Sequence, residues 1–480
     1  MEFHQLCPRL PISSSFWCNM NLLQLLLFIP VVHSLLNCGH QSKAFCSNPL
    51  TPHCYALRKV PLMAIQQSEN SNTVDVAIVG AGIGGAALAS DIHKRGLNVL
   101  LLEQAESIRE GGSAIGLWTQ AWRALDYLGI GEVMREGYYE GTRLKLLNNQ
   151  GKQLGGFDLN ECDKGPHEFR YVMRAQLLRK LLEQVPNKKI MYNSKVKDVI
   201  ADPTGNNRIC LENGKEISAR VVVGADGINS SVRSIIRPQD GKPKYAGYKA
   251  FRGISKCKPD WKGVDDNTIY QMWGQGTRMG ISRMSPTEVY WFITYNSEEA
   301  LDTAERDPKS RKEKALELVS GWGKNAAAIV EGTPEDSIVV GAMRDRFPEL
   351  RPWGKDCVTL IGDAAHPMTP NLAQGGAAAL EDAVELGYAL SNLLASSSTN
   401  DKVPSSSNIQ ETLRTFEENR IKRLAKLNLK SFAFGAALQL PFTPITFVRN
   451  NIAVPGLFAI NYLPTTFLDH TDWYPPNSSG

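Results

Sequence analysis

The sequence predicts an α/β protein, α+β overall: a parallel-sheet domain, an inserted mostly antiparallel β-sheet, and C-terminal helices. Three observations predict it. Val74–Val79, Val221–Val223 and Thr359–Ile361 are short runs of mostly branched apolar residues, each running into a glycine, as buried parallel strands do. Between the second and third runs, Tyr245–Ile254, Thr268–Gly274, Arg278–Met284 and Glu288–Tyr295 alternate apolar and polar residues between Gly, Pro and Ser turns. Near the end, Glu411–Leu427 carries an apolar stripe and charge pairs at helical spacing.

The first strand leads into Gly80-Ala-Gly82-Ile-Gly84-Gly85, then a helix that stops at Gly96, then the strand Asn98–Leu102. Gly80 permits the tight turn, Gly82 lets backbone approach a pyrophosphate, and Gly85 lets helix and strand pack closely; the helix N-terminus offers free N–H groups. Glu103 follows the second strand, 23 residues beyond Gly80, where an acid accepts hydrogen bonds from ribose hydroxyls. This is the order of a Rossmann-like dinucleotide-binding unit. The plainer reading is a glycine-rich turn in some other α/β protein.

Two further motifs end later strands: Gly224-Ala-Asp226-Gly227 and Gly362-Asp363-Ala-Ala-His366-Pro367. Open α/β sheets bind ligands at such strand ends. Segments this far apart in the chain can grip only a long cofactor, and the three together imply FAD. Singly they say less: Asp226-Gly227 suits a plain turn, Asp363 suits a helix cap, and His366 beside proline reads as structural. After the last motif, Gln374-Gly375-Gly376 opens a helix whose N–H groups can stabilise negative charge on a reduced flavin. There is no second glycine-rich unit, no Cys-x-x-Cys, no Gly-x-Ser-x-Gly and no metal-ligand spacing, which argues against dithiol redox chemistry, hydrolysis and a bound metal.

With these motifs the chain resembles the single-component FAD-dependent aromatic hydroxylases, such as p-hydroxybenzoate and salicylate hydroxylases. Within them it looks most like plant monooxygenases akin to the FAD domain of zeaxanthin epoxidase, over roughly residues 74–470. The resemblance implies that Arg109–Gly129 runs beside the flavin and that Arg174, opening an Arg-x-x-Leu helix, lies near it. It implies that Asp226-Gly227 serves FAD and NAD(P)H, that Gly362-Asp363 binds ribitol or ribose hydroxyls, and that Pro370, Gln374, Gly375 and Gly376 lie against the isoalloxazine. Relatives often have Asn shortly after the final glycine pair, where this chain has Ala377–Ala379.

The implied activity is monooxygenation of a small aromatic compound, with NADPH or NADH as transient cosubstrate and one atom of O2 transferred through a flavin C4a-hydroperoxide while the other leaves as water. The flavin carries the chemistry, so no catalytic side chain is assigned. Alkene epoxidation of the zeaxanthin epoxidase type, isoprenoid double-bond reduction and a nonenzymatic prenyl-binding escort share the motifs. Aromatic Tyr270, Trp273, Tyr290 and Trp291 are candidates to line a pocket beside the inserted sheet.

A net charge of +4 over 480 residues, without a basic block, gives no footprint for nucleic acid. The expected organisation is an extension over 1–72, FAD-binding segments at 73–236 and 346–395, a substrate sheet at 237–345, and a polar loop with helices at 396–480. Residues 429–464 are apolar and proline-bearing; they pack on the FAD domain, cover an apolar tunnel or touch a membrane surface. The first 72 residues hold five of nine cysteines and only two acids, Glu2 and Glu69. Scarce acids with frequent serine suit an organelle transit peptide, the apolar stretch Leu22–Leu36 resembles a secretory h-region, and a start at Met63 would leave a cytosolic enzyme; the plant resemblance favours import into the chloroplast. Cys162, Cys210, Cys257 and Cys357 are dispersed and read as reduced, buried thiols.

Overall fold

The computed structural model describes residues 73–108, 113–298, 300, 304–395, 404–439, 448–459 and 462–476. The expectations for residues 1–72 and for Arg109 lie outside the described residues.

Strands β1 (Thr73–Val79) and β2 (Val99–Leu102) flank helix α1 (Ile83–Lys94). Then come β3 (Ala114–Trp118), α2 (Thr119–Tyr127), α3 (Gly131–Arg135), β4 (Arg143–Asn148), β5 (Gln153–Asp158), β6 (Phe169–Met173) and α4 (Arg174–Leu182). Next are β7 (Ile190–Met191), β8 (Val196–Ile200), β9 (Asn207–Leu211), β10 (Glu216–Gly224) and α5 (Ser231–Ile236). The insertion supplies β11 (Lys244–Lys256), β12 (Thr268–Trp273), β13 (Thr277–Ser285), β14 (Glu288–Asn296), α6 (Pro308–Leu318), α7 (Ala326–Glu331) and β15 (Val339–Asp345). The chain closes with β16 (Val358–Leu360), α8 (Gly375–Ala395), α9 (Ser406–Leu438), α10 (Val454–Ala459) and α11 (Tyr462–Leu468).

The three apolar runs meet in one sheet. β7, β2, β1, β10 and β16 pair in parallel, and the β8–β9 hairpin joins the N-terminal half of β10 in antiparallel fashion. The register aligns Val79 with Leu102 and Gly224, and Gly224 with Leu360. Strand ends therefore coincide, and Gly80, Glu103, Ala225–Gly227 and Ile361–Asp363 lie along one edge of the sheet. Backbone bonds lock that edge: Gly80 N–H donates to Leu102 at 2.7 Å, Ala225 to Val79 at 2.7 Å, and Ile361 to Gly224 at 2.9 Å.

The second sheet runs β15-β11-β14-β13-β12-β4-β5, antiparallel except for β12 against β4. It takes in β4 and β5, whose residues the sequence places before the insertion; nothing in their local pattern shows which sheet a hairpin will join. Alternation gives the sheet two faces. Phe251, Tyr270, Met272, Trp291 and Ile293 form a separate core beneath α6 and α7, two helices absent from the sequence expectation. Ile269, Trp273 and Tyr290 belong instead to the main core, with Ile254 and Phe292 packed against it, so this face looks toward the first sheet and α8.

α9 runs past the expected Leu427 to Leu438. Its Phe434 ring meets Trp273 at 6.1 Å and Phe467 at 5.4 Å, so this part of the apolar C-terminal segment packs inward. Among the described residues no helix is long and apolar enough to cross a membrane. Cys162, Cys210, Cys257 and Cys357 are free, but of these four only Cys357 is buried as expected; the other three are half-buried.

Candidate functional site

The glycines of the first turn divide their work. Gly80 has φ 104°, and a Cβ there would stand 2.6 Å from the Ala225 carbonyl oxygen. A Cβ on Gly85 would stand 2.0 Å from the Gly80 oxygen. Both glycines are demanded by the fold itself. At Gly82 the nearest atom would be 3.9 Å away, so this position leaves room for a ligand against the backbone. Gly82 also caps α1 without any side-chain hydrogen bond, leaving the first-turn N–H groups to an anion. Glu103 is fixed beneath this loop: its two carboxylate oxygens accept from Ala81 and Ala105 N–H, each at 2.9 Å. A carboxylate has roughly four acceptor positions, so capacity for ribose hydroxyls is left.

Asp226 is held by the helix that follows it. Its carboxylate accepts from Ser230 Oγ at 2.5 Å and from the N–H groups of Ser231 at 2.7 Å and Val232 at 3.2 Å. It therefore caps α5 together with Ser230, whose Oγ accepts from Arg233 N–H at 2.9 Å. Burial pushes the Asp226 carboxyl up, and these hydrogen bonds hold it back. Gly227, with φ 78° and nothing within 4 Å of a built Cβ, presents open backbone.

Asp363 is the opposite case. Among the described residues it makes no hydrogen bond or ion pair, and it stands open to the cleft while ringed by protein. That enclosure pushes its carboxyl up, while His366 and the exposed Arg174 at the start of α4 pull it down. Its Oδ1 lies 3.9 Å from the position a Gly375 Cβ would take. An acceptor without a protein partner beside an open glycine fits the hydroxyls of a bound ribitol or ribose.

The turn holding Asp363 is fixed by a network that the sequence reading missed. Asp382, inside α8, accepts from Gly362 N–H at 2.8 Å, His366 Nε2 at 2.6 Å and Arg420 Nε at 2.6 Å. Arg420 also bonds Glu381 at 2.7 Å, and Arg423 grips Glu381 at 2.8 and 3.0 Å. Burial alone would raise the Asp382 carboxyl, but His366 and Arg420 hold it down at about 2. His366, beside proline, is thus tied to α8 through Asp382. The available signal was the adjacent acids Glu381 and Asp382 in a mostly apolar helix.

The loop before α8 joins the two sheets. Asn371 accepts from Arg278 at 2.7 Å and Tyr248 at 3.3 Å, and donates to Thr369 at 2.9 Å and the Ser431 carbonyl at 3.0 Å. Pro370, exposed, opens a short 3-10 turn, and buried Gln374 pairs with Gln120. A Cβ on Gly376 would strike Ile115 of β3 at 2.5 Å, whereas Gly375 has 3.8 Å of clearance from Met368. Ala379 packs against Gly84 and Gly362, 3.4 and 3.2 Å from their built Cβ positions, so a small residue is required there.

The edge therefore fits FAD: an uncapped helix start, an open glycine, an unpartnered acid and a glycine-opened second helix, all side by side. Residues 73–405 match the family model described as FAD binding domain. The chain belongs to this family and is an FAD-dependent monooxygenase. Monooxygenase 2 of Arabidopsis thaliana is 31% identical over 360 residues, covering 73% of this chain and 84% of that protein. The aurachin C monooxygenase/isomerase of Stigmatella aurantiaca is 30% identical over 317 residues, 66% of this chain and 80% of that one. Zeaxanthin epoxidase of Oryza sativa subsp. japonica is 31% identical over 367 residues; this chain covers only 54% of its length. In fold, the chain is similar to Klebsiella pneumoniae HpxO complexed with FAD and uric acid, with TM-score 0.70, 23% identity, and coverage of 83% of this chain and 96% of that one.

Proposed function

We propose that this monooxygenase hydroxylates a small aromatic, phenolic compound, using NADPH or NADH and O2. Bound FAD supplies the redox chemistry, accepting hydride and activating oxygen. The chain's own residues bind and exclude. The α1 N-terminus and Gly82 hold the pyrophosphate, Glu103 and Asp363 hold hydroxyls, and Gly375 lets backbone approach the ring. Exposed Arg174 and the open Gly227 backbone stand at the same edge, where the nicotinamide cosubstrate docks.

The observation that carries the substrate class is the inner face of the second sheet. Tyr290 and Phe292 project from it toward β6, where Tyr171 packs on Tyr290 with ring centroids 4.5 Å apart and planes tilted by 40°, and Phe169 and Trp118 continue the aromatic wall. A planar ring laid against this aromatic wall would be shielded from water, which oxygen transfer requires. Of the four aromatic candidates from the sequence, Trp273 and Tyr290 face this side. Tyr270 and Trp291 face the other core, bonded to Asp265 and Thr333. The zeaxanthin epoxidase relatives favour alkene epoxidation as a second reading, and their chloroplast location favours a plastid for this chain. Anaerobic reduction of the purified flavoprotein by NADPH, with pooled phenolics and then air, tests the reading. Ligand-stimulated bleaching followed by an oxygenated product supports it; hydrogen peroxide alone from every phenolic pool refutes it.

A further inference from the structure

We propose that the loop Arg346–Trp353 docks the protein on a membrane surface bearing anionic lipid. Phe347 and Leu350 enter the lipid, and a rim of lysine and arginine side chains meets the headgroups.

Among the described residues, Phe347 and Leu350 are the most exposed large apolar side chains, at 73% and 82%. Single apolar residues on a surface are ordinary; two of them, three positions apart on one anchored loop, are not. The anchors lie on both sides of the pair. Arg346 N–H donates to the Pro367 carbonyl at 3.4 Å, and its guanidinium to the Asp240 and Gly241 carbonyls at 3.2 and 2.9 Å. Glu349 pairs with Arg233 at 3.3 Å and Arg237 at 3.2 Å, and Arg237 also holds the Pro352 carbonyl at 3.0 Å. Trp353 is buried, its indole N–H on the Leu360 carbonyl at 3.0 Å. The two apolar side chains are thus held out in water by a fixed backbone, an exposure that the loop's own packing does not relieve.

The charge around them has one dominant sign. Lys242, Lys244, Arg351 and Lys355 are exposed, and among the described residues none of them makes an ion pair. Lys242 and Lys244 border the loop, because they follow the two carbonyls that hold Arg346. The nearest acids are spent elsewhere: Asp240 on Arg233 and Arg237, at 2.7 and 2.6 Å, and Glu349 on the same two arginines. Asp345 stands opposite Lys244 across the β11–β15 pair. Residues 233–244 and 344–356 together hold eight cations against four acids, a surplus equal to the net charge of the whole chain, +4.

Lipid suits this surface better than a protein partner does. Two projecting side chains offer too little area for a stable protein interface, which takes about 800 Å² from each partner. A bilayer buries each of them whole, and each cation near an anionic leaflet strengthens attachment about fivefold. The contact is separate from the apolar C-terminal segment, where Phe434 packs inward.

The test is co-sedimentation of the full FAD-loaded chain with vesicles of phosphatidylcholine alone, or of phosphatidylcholine mixed about two to one with phosphatidylglycerol. The mixed vesicles are expected to bind about tenfold tighter than the neutral ones, and the difference to shrink when salt is raised from about 0.1 to about 0.5 M. Phe347→Ser/Leu350→Ser is expected to weaken binding about tenfold, with flavin content and the unfolding midpoint unchanged. Lys242→Gln/Lys355→Gln is expected to weaken it by about the same factor and to flatten the salt dependence. Failure of wild type to bind the mixed vesicles, or binding that survives both double variants, overturns the proposal. So does a dimer in sedimentation velocity that Phe347→Ser/Leu350→Ser dissolves, since a second copy would then occupy the loop.

Discussion

The backbone N–H of Gly362 donates to the carboxylate of Asp382 at 2.8 Å, tying the turn that presents Asp363 to the second turn of α8. Gly362 needs this anchor because it sits at φ 58°, wedged between the end of β16 and Ala379. One buried acid on a helix thus sets where an open acid on a loop points.

Asp382→Ala removes the common partner of Gly362, His366 and Arg420, leaving the Arg420 guanidinium buried with only Glu381 and a carbonyl. Breaking a buried pair in this way costs about 3–5 kcal/mol. The expected result is a large drop in the denaturation midpoint together with loss of bound flavin, read from the visible absorbance per protein. Unchanged stability with full flavin would show that the network positions nothing.

Asp363→Ala separates binding from folding. The carboxylate has no protein partner to lose, so stability without cofactor is expected to stay within about 0.5 kcal/mol of wild type. Most bound FAD is expected to be lost. Measuring flavin content beside the thermal transition checks both halves, and full flavin retention contradicts the site.

Asp226→Ala tests the cap. Its carboxylate serves Ser230, Ser231 and Val232, so the expected cost is about 1–2 kcal/mol with flavin retained. Flavin loss without destabilisation would return Asp226 to the ligand role that the sequence motif implies.

What was legible in the sequence is what local chemistry dictates. Gly80 and Gly85 announce a turn because only glycine fits there, and the apolar runs ending on glycine announce parallel strands whose ends line one edge. Alternation announced β11 to β14. The sequence did not show that Asp226 would spend its carboxylate on α5, because the same Asp-Gly pair serves a cap or a ligand until the next helix is placed. Nor did it show that Asp382 would meet Arg420, since that pairing joins two helices far apart in the chain. Tyr270 and Tyr290 looked alike; the sheet register puts them on opposite faces.

Gly82→Ala and Gly85→Ala make a matched pair within one motif. At Gly85 a methyl group would overlap the Gly80 oxygen at 2.0 Å, so the turn must open. Strain of this kind costs about 1–3 kcal/mol, and the midpoint of unfolding is expected to fall. At Gly82 the methyl group meets nothing closer than 3.9 Å, and stability is expected to hold while the pyrophosphate is kept from the backbone. Equal destabilisation by both changes would remove the distinction between fold glycine and ligand glycine.

His470 gives the chain a pH limit. It is buried, and both burial and the cations of Lys430, Arg423 and Lys426 on α9 push its imidazole down to about 3, with Asp469 opposing them. The folded value lies below the ordinary value of about 6.5, so the unfolded chain takes up this proton first. The stability that goes with a neutral His470 is therefore fully present above about pH 6.5 and is lost progressively as pH falls toward the folded value. At pH 5 the loss amounts to about 2 kcal/mol, at 1.36 kcal/mol for each unit between the two. His470→Asn is expected to flatten the curve of unfolding free energy between pH 7 and 5, compared by denaturant titration. A variant as acid-sensitive as wild type in that window would place the effect on other groups.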